Sequence, residues 1–337
     1  MQALVIEKVR HAAMHSVAEP APGKGEVLVD VRHIGLCGSD LATFTGLNPL
    51  VSLPRIPGHE IGGVILAVGG GVPVDFAPGR RVIVMPYTAC GTCSSCRKGK
   101  TNACRFNRTL GVQQDGGLCE RIVLPFGKLI LNTGLAPRHL ALVEPLSVGF
   151  HAVGRGRVAA GDRVLVLGCG MIGMGAIAGA AARGAEVIAV DYGAKAKFAL
   201  RHGARHAVDA ADPDLQGSID ALTGGDGPDV VIEAVGLPDT FTRAVDLACF
   251  GGRIVYIGYS KAPVSYDTKL FNLKELDIMG SRNALAEDFT AVVTYLEGRG
   301  TDPDDLITRV FPFADAAEAL PFWVANRADT LKIIIER

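Results

Sequence analysis

The sequence predicts an α/β plus β protein of two domains, one mostly β and one a doubly wound parallel sheet. Three observations predict it. The chain is 337 residues long, which suits two domains at roughly 150 residues each. Its first part carries short β-runs broken by Gly and Pro, such as EVLVDVRHIG, IGGVILAVG and RVIVMP, the pattern of an irregular β domain. Its middle alternates β-runs with helix-like segments, the pattern of parallel strands joined by crossover helices.

The β domain is expected over residues 1–145. The α/β domain is expected over 146–284, with strands RVLVLG, AEVIAVD, HAVD, DVVIEAVG, GRIVYIG and LDIMGS. Helices such as KAKFALRHGA and DTFTRAVDLACF lie between them. Residues 285–337 add a helix, AEDFTAVVTYLEGR, and a closing strand, TLKIIIER. No repeat of solenoid period is visible.

Composition narrows the function. Lys+Arg number 34 against Asp+Glu 35, so the basic excess that a nucleic-acid surface or a polybasic membrane patch needs is absent. Glycine (42) and proline (18) together stay below the roughly 25–30% of disordered low-complexity chains. The start, MQALVIEKVRHAAM, is interrupted by Glu7, Lys8 and Arg10 and lacks the apolar core of a signal peptide; a cytoplasmic protein is expected. Residues 164–182 carry no charge, but they divide into a β-run, a glycine turn and a small-residue helix start, so a membrane span is not expected.

The glycine turn is the first motif. Gly168, Gly170 and Gly173 follow the run RVLVL, enclose Met171 and Ile172, and open a helix. In a strand–turn–helix unit these glycines serve a tight turn, a close approach to a pyrophosphate, and helix–strand packing, with the diphosphate on the helix N-terminus. Asp191 ends the next β-run, where an acid accepts from the ribose hydroxyls and repels a 2′-phosphate, so NAD is expected over NADP. Lys195 is either an adenosine neighbour or a solvated helix lysine. Lys197 and Arg201 read as surface.

The second motif is Cys90-x2-Cys93-x2-Cys96-x7-Cys104. Four closely spaced cysteines supply the tetrahedral thiolate set of a structural zinc site; an iron–sulfur cluster is the rival for such spacing. Arg97, Lys98 and Lys100 are placed to offset the thiolate charge. Without a secretion signal, disulfides are not expected. Cys119, Cys169 and Cys249 read as packing residues.

Third come scattered candidates: Cys37, Ser39 and Asp40 in CGSD, His59 and Glu60 in GHE, and Glu144 in LVEPLSVGFHAV. Spacing alone does not unite them.

CGSD, GHE, the four-cysteine loop, EPLSVGFHA and GxGxxG occur in that order along the whole chain. Together they closely resemble the zinc-dependent medium-chain dehydrogenase/reductase superfamily, most of all its sorbitol, galactitol and L-galactonate dehydrogenase branch, with L-threonine 3-dehydrogenase nearby. The resemblance implies a GroES-like β domain with an inserted Rossmann domain and an active site between them. It implies two zinc ions per chain: a structural one in the cysteine loop and a catalytic one at Cys37, His59 and Glu144, with Glu60 able to approach or replace a ligand. It implies that Asp40 orients the zinc-binding imidazole and that Ser39 takes the substrate proton. Zinc would then lower the alcohol's pKa, and hydride would pass to the nicotinamide.

Many relatives carry a His where this chain has Ala42. The proton must therefore leave through cofactor hydroxyls, water or another residue, and the threonine-dehydrogenase reading weakens. Phe44 is a candidate pocket wall or ordinary core. Arg282 and Asn283 are candidates for binding a substrate carboxylate or polyol hydroxyls, with an interdomain salt bridge as the alternative for Arg282. Gln113 is a pocket residue or a loop filler, and His151 reads as structural. The expected substrate is a polyol, sugar acid or secondary alcohol. The alternatives are threonine or simple-alcohol oxidation and, more distantly, a non-catalytic NAD(H)-binding sensor. Relatives are usually homodimers or homotetramers, with KLFNLKELDIMGS a candidate interface strand.

Overall fold

A computed structural model describes residues 1–298 and 302–337. It divides into two compact units, Met1–Glu144 with Leu296–Arg337, and Pro145–Tyr295.

The first unit opens with an antiparallel hairpin, β1 (Gln2–Lys8) and β2 (His11–Ser16). Strand β3 (Glu26–Leu36) follows, and helix α1 (Gly38–Phe44) comes directly after it. Then come β4 (Glu60–Val68), β5 (Arg81–Val84) and the short β6 (Tyr87–Thr88). A four-residue helix, α2 (Ser94–Arg97), sits inside the cysteine loop. Strand β7 (Arg108–Thr109) pairs with β6, and β8 (Arg121–Pro125) and β9 (Leu129–Leu131) end the run. Most apolar side chains of EVLVDVRHIG are buried: Val27, Val29, Val31 and Ile34 pack with Ile61, Val82 and Leu124 in one core, while Leu28 is half-buried. Alternation along each strand turns one face into that core.

Helix α3 (Val143–Arg155) leads into the second unit. All six β-runs expected for the parallel sheet form it: β10 (Arg163–Leu167), β11 (Glu186–Asp191), β12 (His206–Asp209), β13 (Val230–Glu233), β14 (Arg253–Tyr256) and β15 (Asp277–Gly280). Their order is β12-β11-β10-β13-β14-β15, every pair parallel. Helices α4 (Met171–Ala182), α5 (Ala194–Ala199), α6 (Leu215–Thr223), α7 (Pro238–Leu247) and α8 (Lys269–Leu273) alternate with them. This is a Rossmann-type sheet whose order reverses between β10 and β13. The uncharged stretch 164–182 is β10, a turn and α4; among the described residues no helix is long and apolar enough to cross a membrane.

Helix α9 (Ala286–Glu297) carries the chain across the unit boundary at Tyr295/Leu296. The unit boundary at Tyr295/Leu296 therefore falls later than the sequence boundary at 284/285. The cause is packing. Phe289 and Val292 are buried, His151 Nδ1 lies 2.8 Å from Asp288 Oδ2, and the Tyr295 ring sits against Phe150 on α3. The first unit is then completed by β16 (Arg309–Pro312), α10 (Ala316–Ala325) and β17 (Ile333–Glu336). Strand β17 pairs antiparallel with the end of β3, Ile333 opposite Leu36. The sheet order is β16-β17-β3-β4-β5-β9, with β8 also on β3.

Candidate functional site

The end of β3 and the start of β4 bring the scattered candidates together. Cys37 is the N-cap of α1, and His59 and Glu60 stand where β4 begins. One donor atom from each of Cys37, His59 and Glu60 lies within 4.8 Å of the others. His59 and Glu60 are buried. Asp40 ties the two loops: its Oδ2 accepts from the Cys37 N–H at 2.9 Å, and its Oδ1 accepts from the Gly58 N–H at 3.1 Å. Its nearest approach to His59 Nδ1 is 4.0 Å, so its hydrogen bonds go to backbone rather than to the imidazole.

Glu144, at the start of α3, is also buried and accepts from the Tyr87 hydroxyl. Burial raises the Glu144 pKa, while nearby His59 pulls it down. Burial also pushes the Tyr87 hydroxyl well above its usual range, and Glu144 adds to the rise. Burial disfavours a charged His59, but the Cys37 sulfur, Asp40 and Glu144 overcome it and hold the imidazole well above its usual pKa. Ser39 Oγ and His59 Nδ1 are buried without hydrogen-bond partners among the described residues.

Sequence reasoning missed two contributors. Lys332, 1% exposed, reaches in from just before β17. Its Nζ donates to Glu60 Oε1 at 2.7 Å and to the Leu36 carbonyl at 2.8 Å. The only local signal was a lysine inside the apolar run LKIII. Tyr87 precedes the cysteine loop and carried no signal of its own.

In that loop, Cys90, Cys93, Cys96 and Cys104 each place a sulfur within 4.8 Å of the others. Cys93 Sγ lies 3.4 Å from Cys96 Sγ and 3.9 Å from Cys104 Sγ. The backbone N–H groups of Cys90 and Phe106 donate to Cys104 Sγ, and that of Cys93 to Cys90 Sγ. The Ser95 hydroxyl and backbone N–H groups lower Cys93 to about 5, and burial and the neighbouring thiols raise Cys96 to about 12. Four thiols that close are the ligand set of a closed zinc site, and a thiol, an imidazole and carboxylates are the set of an open one. Both groups of residues fit zinc.

The second unit carries the nucleotide candidates. Gly168, immediately after β10, has a φ of +94°. Gly173 packs so tightly that an added Cβ would lie 1.8 Å from the Gly168 carbonyl oxygen. Gly170 is the N-cap of α4, where Met171 and Ile172 begin the helix, and a Cβ there would meet nothing. Asp191 Oδ2 accepts from the Cys169 N–H and Oδ1 from the Tyr192 N–H, both at 2.7 Å. Lys195 lies on α5.

The proposed substrate contacts fare differently. Phe44 is 3% exposed and packs within the first unit's apolar core. Gln113 accepts from the Thr109 N–H at 2.8 Å. Arg282 is exposed just after β15, and Asn283 takes a left-handed φ of +52°.

Residues 23–133 match the model of the alcohol dehydrogenase GroES-like domain, and residues 172–297 match the zinc-binding dehydrogenase model. L-galactonate-5-dehydrogenase of Escherichia coli (strain K12) is 34% identical over 99% of this chain and 98% of its own. Sorbitol dehydrogenase of Halalkalibacterium halodurans is 30% identical over 96% of this chain and 95% of its own. Among solved structures, a short chain alcohol dehydrogenase from Escherichia coli CFT073, complexed with NADH, superposes with a TM-score of 0.92 at 32% identity. The match covers 100% of this chain and 99% of that one.

Proposed function

The chain belongs to the zinc-binding alcohol dehydrogenase family, the medium-chain dehydrogenases with a GroES-like domain, and from that premise we propose a zinc-dependent, NAD-preferring enzyme that oxidises a secondary alcohol of a polyol or sugar acid to the ketone. The observation that carries the reading is the convergence of Cys37, His59 and Glu60, with buried Glu144 close enough to His59 to shift it. A non-catalytic scaffold has no use for that set beside a separate four-cysteine site.

Cys37, His59 and Glu144, with Glu60 in reserve, would hold one zinc ion, and Cys90, Cys93, Cys96 and Cys104 a second. When bound at the first site, zinc supplies Lewis acidity to an alcohol oxygen. Asp40 keeps the Cys37 and Gly58 backbones in register, so the ligands are positioned in advance. The Ser39 hydroxyl, with no hydrogen-bond partner among the described residues, would accept the alcohol's proton at Oγ as it passes its own to water or cofactor hydroxyls, since Ala42 offers no relay group. The Gly168–Gly173 turn and the α4 N-terminus would receive a cofactor diphosphate. Asp191 would accept from the adenosine ribose and disfavour a 2′-phosphate.

A sugar acid heads the substrate list because one 34% identical relative is named an L-galactonate dehydrogenase. Arg282 and Asn283 are then the candidate carboxylate contacts. Edge strand β15, with Ile278 exposed and Leu273 exposed just before it, is the candidate for a homodimeric or homotetrameric contact.

The test is formation of reduced nicotinamide by zinc-replete protein across polyols, aldonic acids, L-threonine and simple secondary alcohols. A strong response to one stereochemical class of polyol or aldonate is expected, lost in Cys37→Ser. A response to L-threonine or simple alcohols alone would displace the polyol reading. Silence, with NADH still bound, would favour a sensor.

A further inference from the structure

A buried carboxylate that the proposed reaction does not use ends strand β13. Glu233 is 0% exposed. Its Oε1 accepts from the N–H groups of Val235 at 2.8 Å and Gly236 at 2.7 Å, and from the Thr240 hydroxyl at 2.7 Å. Its Oε2 is buried with no hydrogen-bond partner among the described residues. The carboxylate is wedged between two turns: a Cβ on Gly258, in the turn after β14, would lie 2.6 Å from Oε2. The turn after β13 in turn packs on the glycine turn. The Ala234 N–H donates to the Leu167 carbonyl at 2.9 Å, and Val235 crowds Gly168.

Holding the Val235–Gly236 turn does not by itself call for a negative charge. A glutamine would present the same acceptor to the same three donors and leave its amide where Oε2 stands. An ionised carboxylate with one oxygen uncompensated is costly to bury, so a charge kept at this position calls for a role.

Position supplies one. The strand order reverses between β10 and β13, and a dinucleotide lies across the carboxyl ends of the strands at such a switch point. Asp191, at the end of β11, marks the adenosine side. The nicotinamide half then falls over β13 and β14, where Val235, Leu237 and Tyr259 leave exposed apolar surface.

Resting on the reading of this unit as the NAD site, we infer that Glu233 is a positioning residue whose buried negative charge lies behind the nicotinamide half and favours the oxidised cofactor, a pyridinium cation, over the neutral reduced one. Charges act over longer range inside protein than in water, and the burial of Glu233 limits screening by salt. Such a bias would hold the oxidised cofactor more tightly and the reduced cofactor more loosely. Release of reduced cofactor is a step that sets turnover in many well-evolved enzymes.

The test measures equilibrium affinities for NAD and NADH separately, in wild type, Glu233→Gln, Glu233→Asp and Thr240→Val. Glu233→Gln keeps the shape and removes the charge. It is expected to weaken NAD by about tenfold (about 1.4 kcal/mol) and to leave NADH within about twofold. Thr240→Val removes one donor but not the charge, so it moves both cofactors equally or neither. Glu233→Asp keeps the charge, so the NAD/NADH affinity ratio stays near wild type even where both affinities fall; this variant decides the matter if Glu233→Gln does not fold. Equal changes for both cofactors in Glu233→Gln, no change in either, or a collapsed ratio in Glu233→Asp would overturn the inference. A wild type that binds neither cofactor would instead remove the NAD reading on which it rests.

Discussion

Lys332 Nζ lies 2.7 Å from Glu60 Oε1, and both side chains are sealed from solvent. A buried ion pair adds little net stability over an apolar pair, but removing one partner strands the other charge at a cost on the order of 3–5 kcal/mol. Lys332→Met is therefore expected to lose about that much in denaturant unfolding, and Glu60→Gln in the same chain should restore most of it. A Lys332→Met protein as stable as wild type would refute the coupling.

Asp40 joins the Cys37 and Gly58 backbones through its two oxygens. Each hydrogen bond to a charged group contributes roughly 1.5–3 kcal/mol. Asp40→Ala should lower stability by about 3 kcal/mol or more. It should also empty the proposed catalytic metal site while the proposed four-cysteine zinc site keeps its metal. Metal analysis distinguishes the two: one zinc lost per chain is expected, and two retained would show that Asp40 does not assemble the site.

Asp191→Ala should raise the KM for NAD by about tenfold or more, the loss of a charged hydrogen-bond acceptor. It should leave NADP unchanged or improved, because the repulsion of a 2′-phosphate goes with the carboxylate. Steady-state kinetics with both cofactors reads this directly. An equal loss for both would mean that Asp191 serves only the Cys169 and Tyr192 N–H groups that it already accepts from.

Burial lowers the Lys128 pKa to about 8 from 10.5. Between those values the unfolded chain holds a proton that the folded chain has shed, so stability rises with pH across that window. Below about pH 8 both states are protonated and the burial penalty is fully present. Wild type should therefore gain stability relative to Lys128→Met as pH climbs from 8 to 10.5, measured as the difference in their melting temperatures. A constant difference would show that Lys128 titrates normally. The variant also removes the Nζ contacts to the Tyr87 carbonyl and the Thr88 hydroxyl, a loss that does not itself follow pH.

The parallel sheet was legible because each of its strands is a short apolar run between turn residues, and local pattern is enough to find such runs. The four-cysteine loop was legible for the same reason, its ligands being adjacent in sequence. The β1–β2 hairpin was not, since HAAMHS carries little β-branched or aromatic content. The later unit boundary was hidden because α9 looks the same in sequence whichever unit buries Phe289. Lys332 was invisible because its meaning lies in Glu60, 272 positions away. Glu233 reads in sequence as one acid in an apolar strand, and only the fold shows that the turn after it closes over the carboxylate.

The pairing of β17 with β3 sets an order of events during synthesis. Residues 145–295 form their own unit and emerge from the ribosome before residues 332–336 exist. At roughly 5–20 residues per second, Cys37 waits tens of seconds for Lys332. Over that interval the end of β3 is an uncovered sheet edge, the kind that recruits other chains, and Glu60 lacks its counter-charge. Premature termination just short of Lys332 would leave a nascent polypeptide holding every proposed zinc ligand but lacking the strand and the cation that organise them, a product fitter for aggregation or proteolysis than for metal capture.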